Sequence, residues 1–450
     1  MFGLTVSEAA AICGGSVHYD GSSFEDLELN RIVIDSRAVR PGDLFAAYRG
    51  EKVDGHNYIS AAFSSGAACA LAERLPENAG GPVILVQDVQ DAIEAIAGAF
   101  REKIRIPIVG IVGSVGKTTA KEMTWSVLSE HFNAYKTEGN LNNIIGVPMT
   151  VSGIGKEHEA AVIEMGINHF GEMEHLGRVA RPSVLLYTLI GHAHLEFLGD
   201  LDGVLKAKTE LLPYLPEDGT VIINGDDPYQ RKIRCPQKIV SYGLGEGCDV
   251  RASQIAHRDD GISCTITCSG RSIHAEIPAI GDHMVYAALE GASVGFLLGL
   301  SEGEIERGIT HYRTVGRRLS IVNTGSVRLI DDCYNANPDS LKSSIRTLCS
   351  MPGRKVCVLG DMLELGDDSP AMHREVGRFA AEAGCELIIA SGKLAGNYIE
   401  GFGGGQFFET KAELIAALPE LLKKDDAVLV KASLGSAFAE VSDEIKHLKI

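Results

Sequence analysis

The sequence predicts an α/β protein built in three blocks, and three observations carry this. Buried strand-like runs alternate with helix-like stretches along most of the chain, as in a mostly parallel sheet. Within residues 250–277 the pattern changes to strict alternation (Ile262, Cys264, Ile266, Cys268), which predicts a small antiparallel sheet attached to the core. The length, 450 residues, suits about three domains; breaks in the pattern put them at 1–103, 104–315 and 316–450.

In the first block, residues 6–13 read as a helix, 31–34 as a strand, and 58–64 and 83–86 as further elements, closed by a helix ending near Phe100. The second opens on a buried strand at 106–112, and strand-like runs recur at 161–163, 184–189, 221–223 and 239–242. In the third, residues 355–359, 387–390 and 427–430 read as strands, each ending in a polar or glycine-bearing turn (Gly360-Asp361, Ser391-Gly392, Ala432-Ser433). Open α/β sheets bind ligands at such carboxyl ends.

Composition narrows the functional classes. Hydrophobic residues at 45% and charged residues at 23% fit a soluble globular chain and exclude disorder. A net charge of −18 argues against a nucleic-acid partner, since phosphate backbones are held by Lys and Arg. The ten cysteines are mostly scattered singly, and Cys264 and Cys268 lack C-x-x-C spacing, so buried thiols in a reducing compartment are expected. Residues 1–11 carry Glu8 and no basic stretch, unlike a signal peptide. The apolar run near 291–300 is too short to span a bilayer. A cytoplasmic protein without membrane insertion is expected.

The chemistry begins at Gly113-Ser114-Val115-Gly116-Lys117-Thr118-Thr119, after a strand and before a helix at 120–128. Backbone N–H groups and a helix N-terminus can face an anion there. Lys117 can serve the β/γ-phosphates and a threonine hydroxyl can serve Mg²⁺. Ile111 stands at the first glycine position of the strict motif, so the loop is built on Gly113 and Gly116. It predicts a nucleoside triphosphate site without separating a ligase from a kinase, switch or motor.

Glu164 ends a buried strand, and His192 and His194 follow another, offering a carboxylate and an imidazole for a second divalent ion. H-x-H could also be half of a zinc site, although no matching ligand pair lies at a later strand end. For His192 alone, a hydrogen-bonding role is expected. Asp200 reads as the N-cap of the next helix. On it, Lys206 has Asp202 and Glu210 at i±4, a solvated ion-paired face, whereas Lys208 has Val204 and Leu212 there and points inward. An inward lysine has a lowered pKa, and its neutral amine is either simply buried or able to react with CO₂ to form a carbamate.

These residues resemble the Mur ligase family, ATP-dependent amide ligases that build the peptide stem of bacterial peptidoglycan. The resemblance covers nearly the whole chain. In the first block it rests on Asp35-Ser36-Arg37, residues 41–46 and Asp54-Gly55-His56. In the second it rests on the phosphate loop, Lys121-Glu122-Met123, Asn140 with Asn142-Asn143, Glu164-Met165-Gly166 and His194-Leu195-Glu196. In the third it rests on residues 331–338 and 360–366. It implies the three-domain Mur ligase architecture: a small N-terminal α/β domain for the UDP substrate, a central P-loop ATPase domain, and a C-terminal Rossmann-like domain. The third-block strings imply the member that adds D-alanyl-D-alanine to UDP-N-acetylmuramoyl-tripeptide; the D-N-P-R string of the diamino-acid-adding sibling is absent.

The resemblance also implies roles. Lys117, Glu164, His194 and a carbamylated Lys208 would be catalytic, with Thr118, Glu164, His194 and Lys208 around two Mg²⁺ ions. ATP would meet residues 113–119 (Gly113, Ser114, Val115, Gly116, Lys117, Thr118, Thr119) with Arg318, Asp332 and Asn335. Substrate contacts would come from Ser36, Arg37, Asp54, Gly55, His56, Asn140, Asn142, Asn143, Asn337 and Asp361. Two departures stand out: Ala287 occupies the position of an adenine-side asparagine, and Lys431-Ala432-Ser433-Leu434 replaces K-G-S-R, where a strand-end turn is an equal reading. The first block carries 8 Lys/Arg against 15 Asp/Glu, so an anionic UDP group has to be met locally, as by Arg37 and backbone amides. A monomer is expected. The rival readings are a sibling or folylpolyglutamate-type ligase and, from another class, a nucleotide-dependent switch or motor.

Overall fold

A computed structural model describes the chain except for residues 20, 22, 25, 26, 51 and 259. Three sheets follow one another along it. The first has the order Ser16–His18, Val83–Leu85, Cys69–Ala72, Leu44–Ala46, Ile32–Val33, with only the Ser16–His18 pairing antiparallel.

The central sheet has nine strands and explains the long apolar runs. Ile108–Val112, Ala160–Glu164, Val184–Tyr187 and Thr220–Asn224 are buried along their whole length, as parallel strands covered on both faces must be. Successive side chains feed opposite cores. Ile108, Val112, Ile163, Leu185 and Tyr187 pack on one face, and Val109, Ile111, Val162 and Leu186 on the other. The first core runs on into the N-terminal unit, whose helix Val89–Lys103 seats Ile93, Ile96 and Phe100 in it.

The antiparallel strands Val250–Arg258, Gly261–Cys268 and Arg271–Ile277 are not a separate attached sheet. Val250–Arg258 pairs in parallel with Lys238–Gly243, so the hairpins continue the central sheet. At the other edge lies Ala134–Lys136, a half-buried strand too short to leave a period. The third sheet has the order Ser320–Asn323, Arg328–Asp331, Ala427–Lys431, Lys355–Leu359, Leu387–Ser391, Gln406–Phe408, antiparallel only at its first pair. No helix among the described residues is long and apolar enough to cross a membrane.

Candidate active site

The carboxyl ends of the central and third sheets open into one cleft of about 1210 Å³, lined by the phosphate loop, Glu164, residues 188–194, residues 224–229, Arg318 and the turns after Asp331 and Lys431. The loop is shaped by two glycines. Gly116 takes φ 86° to begin the helix Lys117–Leu128, and a Cβ on Gly113 would lie 1.9 Å from Thr188 Oγ1. That hydroxyl donates to Val115 O at 2.6 Å, and Ser114 N donates to Leu189 O, fixing the loop to the neighbouring strand end. Lys117 Nζ donates to Gly113 O at 2.8 Å; burial lowers its pKa, against the pull of Glu164.

Glu164 is the hub of the loop's flank. Its Oε2 accepts from Thr118 Oγ1 at 2.9 Å and lies 3.6 Å from Lys121 Nζ, and its Oε1 accepts from Asn142 Nδ2 at 2.8 Å. Lys121, which sequence reasoning gave no role, is buried between Glu164 and Glu122. Its signal was a lysine one helical turn beyond the loop's own. Asn143 Oδ1 accepts from Ile145 N and Gly146 N at the start of Gly146–Ser152, and Asn140 is exposed.

Both histidines turn towards the third unit. His192 N and Nδ1 meet Asp339 Oδ2 at 2.7 and 3.0 Å, and His194 Nδ1 meets Glu364 Oε2 at 2.5 Å. The Asp339 contact raises the pKa of His192, and the His194 contact lowers that of Glu364. The hydrogen-bonding role expected of His192 is what the structure gives. Neither Asp339 nor Glu364 was singled out as a histidine partner, because partners so far apart in sequence leave no local pattern.

Among the described residues no group of three or more His, Cys, Asp or Glu side chains could hold a metal, which disfavours the zinc half-site. The hard oxygens of Thr118 and Glu164 fit Mg²⁺ instead, which keeps several waters and takes only one or two carboxylates beside phosphate oxygens.

Asp200 caps Leu201–Thr209 through Gly203 N, as expected. Lys208 is 1% exposed and, among the described residues, makes no hydrogen bond or ion pair through its Nζ, while Lys206 is exposed. Burial, then the charge of Lys117, lowers the Lys208 pKa well below its ordinary range. The ion pairs expected of Lys206 are not made: Asp202 pairs with Lys232, Glu210 accepts from Gly171 N, and Lys206 sits over the Phe170 ring. Both acids are taken by partners at least 30 residues away in sequence. Lys208 is not among the residues lining the cleft.

In the third unit Arg318 stacks on Tyr334, its guanidinium carbon 3.8 Å from the ring centre. Asp332 Oδ2 accepts from Lys431 Nζ and Ser344 Oγ, both at 2.6 Å, and Oδ1 from Leu319 N at 3.0 Å. Lys431 also donates to Asn335 O, and Ser433 Oγ accepts from Leu363 N, so both belong to a tied strand-end turn. Asn337 caps Pro338–Ser350 through Ser340 N. Asp361 accepts from Lys393 N and Leu394 N and does not line the cleft. Its carboxylate holds the turn after Leu387–Ser391.

The five first-block residues lie away from this cleft. Asp54 accepts from Arg74, His56 N and His56 Nδ1, contacts that lower its pKa, while Glu73 N donates to His56 Nε2. The imidazole therefore carries its proton on Nδ1. Gly55 is pressed against the backbone of residues 47–48. Ser36 opens a short 3₁₀ turn, and the exposed Arg37 pairs with Asp35 at 2.7 Å.

One buried acid was missed altogether. Glu290, on the helix His283–Leu297 and 5% exposed, lines the cleft, and burial raises its pKa to about 8. Its signal was a lone charge in a helix apolar nearly all round. A carboxyl raised on folding keeps its proton in the native state after the unfolded chain has released it. Stability therefore falls as pH rises from 4.5, its ordinary value, to about 8. The slope from this group is about 1.4 kcal/mol per pH unit. Thermal melting across pH 5–8 should show Glu290→Gln losing less stability than the wild type; parallel pH profiles would refute this.

Models of the Mur ligase family match along the chain: the "Mur ligase family, catalytic domain" at residues 28–101, the "Mur ligase middle domain" at 111–295, and the "Mur ligase, glutamate ligase domain" at 317–434. The UDP-N-acetylmuramoyl-tripeptide–D-alanyl-D-alanine ligase of Bacillus subtilis (strain 168) is 33% identical over 461 residues, covering 99% of each chain. Its Escherichia coli (strain K12) namesake is 34% identical over 448 residues, covering 98% of each. Among solved structures, MurF from Acinetobacter baumannii superposes with a TM-score of 0.91 at 32% identity over 99% of both chains. The Thermotoga maritima MurF ligase in complex with ADP gives 0.83 at 27% identity, over 94% of this chain and 98% of that one. Matched in three successive segments and by relatives over its whole length, the chain belongs to the Mur ligase family.

Proposed function

We infer that the chain is an ATP-dependent amide ligase that joins D-alanyl-D-alanine to UDP-N-acetylmuramoyl-tripeptide, a step of peptidoglycan precursor synthesis. The observation that carries this is the single cleft shared by a phosphate loop and the strand ends of the third sheet. It lets a triphosphate on one wall meet an acceptor on the other, and the full-length relatives bear this activity in their names. A switch or motor has no need of the second wall.

In this reading the loop N–H groups, Lys117 and the start of Lys117–Leu128 hold the phosphates. The tripeptide carboxylate attacks the γ-phosphorus, giving an acyl phosphate and ADP; the dipeptide amine then attacks the acyl carbon and phosphate leaves. Transfer between two anions requires charge neutralisation. Thr118, Glu164, His194 and Lys208 are assigned to two Mg²⁺ ions, which supply it when bound. Glu164, oriented by Lys121 and Asn142, keeps a carboxylate fixed beside the loop. We assign Lys208 as a carbamate: its unpaired, buried amine is the form that reacts with CO₂, and the added carboxylate extends its reach.

Arg318, Asp332 and Asn335 are assigned to the nucleotide, Ser36, Arg37, Asp54, Gly55 and His56 to the UDP group, Asn140 and Asn143 to the muramoyl portion, and Asn142, Asn337 and Asp361 to the substrate without a finer division. We also propose division of the chain into units 1–103, 104–315 and 316–450, supported by one sheet in each. A monomer is proposed, and consumption of ATP supports a cytoplasmic site.

The test is ATP consumption with UDP-N-acetylmuramoyl-tripeptide and candidate amines. ADP and phosphate should appear one-for-one with amide product, and only with D-alanyl-D-alanine present. Formation of AMP, or equal turnover with a free diamino acid, would overturn the reading.

A further inference from the structure

The inference rests on the nucleotide reading above. Seen from the phosphate loop, Thr118 and the strand Ala160–Glu164 lie on one side, and the strands Val184–Tyr187 and Thr220–Asn224 on the other. With metal and acceptor chemistry assigned to Glu164 in that reading, the opposite side is left for the base of a bound nucleotide, and there Tyr229, Tyr286, Ala287 and Glu290 wall the cleft. Ala287 and Glu290 share a helix face one turn apart. The small side chain leaves room above the long one.

Tyr242 holds one of the two oxygens of Glu290. Tyr242 Oη lies 2.8 Å from Tyr187 O, 3.0 Å from Thr188 O and 2.8 Å from Glu290 Oε1. A phenol has one hydrogen, and the two carbonyls can only accept. That single hydrogen is shared among three acceptors, and Glu290 Oε1 is one of them, so Tyr242 ties down Oε1 alone. Its other oxygen, Oε2, is left as an acceptor and has no partner among the described residues.

The neighbouring acids are each already held by several donors. Asp226 accepts from Tyr286 OH, Leu244 N and Gly245 N, and Asp227 from Ile190 N, Tyr229 N and Gln230 Nε2. We propose that Glu290 is the base-reading residue of this enzyme: anchored at Oε1 by Tyr242, it offers Oε2 to a purine bearing an exocyclic amine and disfavours one with a carbonyl there. An acceptor facing an amine gains a hydrogen bond, whereas an acceptor facing a carbonyl leaves two acceptors opposed. Adenine is selected over hypoxanthine.

The experiment is calorimetric binding of ADP and IDP to the full chain, with circular dichroism to check folding. The wild type should prefer ADP, and Glu290→Met should shrink the ADP/IDP preference about tenfold. Glu290→Gln, whose amide N–H can donate to Tyr242 while its carbonyl faces the cleft, should retain the preference. His283→Ala is the comparator, because His283 Nδ1 is also buried without a partner in this helix's first turn. An unchanged ratio in Glu290→Met, or a ratio that collapses in His283→Ala instead, overturns the proposal. A packing role would weaken both nucleotides together and leave the ratio fixed. A wild type that binds neither nucleotide overturns the nucleotide reading, and this proposal with it.

Discussion

Lys208→Ala should lose ligation by about 10²–10³-fold, the effect of removing one preorganised charge-stabilising group, while remaining folded. The native side chain is 1% exposed and its Nζ has no partner among the described residues. Burial and the charge of Lys117 both favour the neutral amine. Truncation thus strands no opposite charge and removes a polar atom that is costly to bury. If the working group is a carbamate, acetate or formate should partly restore turnover by bringing two carboxylate oxygens into the void. Lys208→Arg should stay inactive even with acetate, because its permanent positive charge repels a metal. Lys206→Ala, on the exposed face, should be nearly silent. Rescue by methylamine instead of acetate would show that the unmodified amine does the work.

What separates Lys208 from Lys206 was legible because helical periodicity is local: Val204 and Leu212 define a face without any knowledge of what packs on it. The same holds for the phosphate loop and for Glu164, whose strand is buried to its last residue. Partnership over long sequence distance left no such mark. The Lys206 ion pairs failed because Asp202 found Lys232 across a loop. Asp339 and Glu364 could be recognised as histidine partners only once the third sheet stood against the second. Short strands such as Leu44–Ala46 and Ala134–Lys136 are too brief for a period to show. Roles within the fold are likewise invisible to a resemblance. Asn337 and Asp361 already serve as a helix cap and a loop anchor.

Asp332 combines both kinds of role, and a double-mutant cycle can separate them. The Asp332–Lys431 pair is nearly dry, with side-chain exposures of 11% and 4% at 2.6 Å. Asp332→Ala leaves the Lys431 ammonium with only carbonyl acceptors and should destabilise the third unit by about 3–5 kcal/mol, the cost of breaking a buried pair from one side. Lys431→Met should cost less, because the carboxylate keeps Ser344 and Leu319 N as donors. The double variant Asp332→Ala/Lys431→Met should recover most of the loss, since no unpaired charge remains. Hydrogen exchange in Lys355–Leu359 and Ala427–Lys431 reads this locally. Three donors leave the carboxylate lone-pair capacity for one more hydrogen bond, such as a ribose hydroxyl. The double variant should therefore regain stability without regaining ADP affinity. Equal destabilisation by the single and double variants would remove the ion pair from the account, and recovery of ADP affinity with stability would reduce Asp332 to a structural residue.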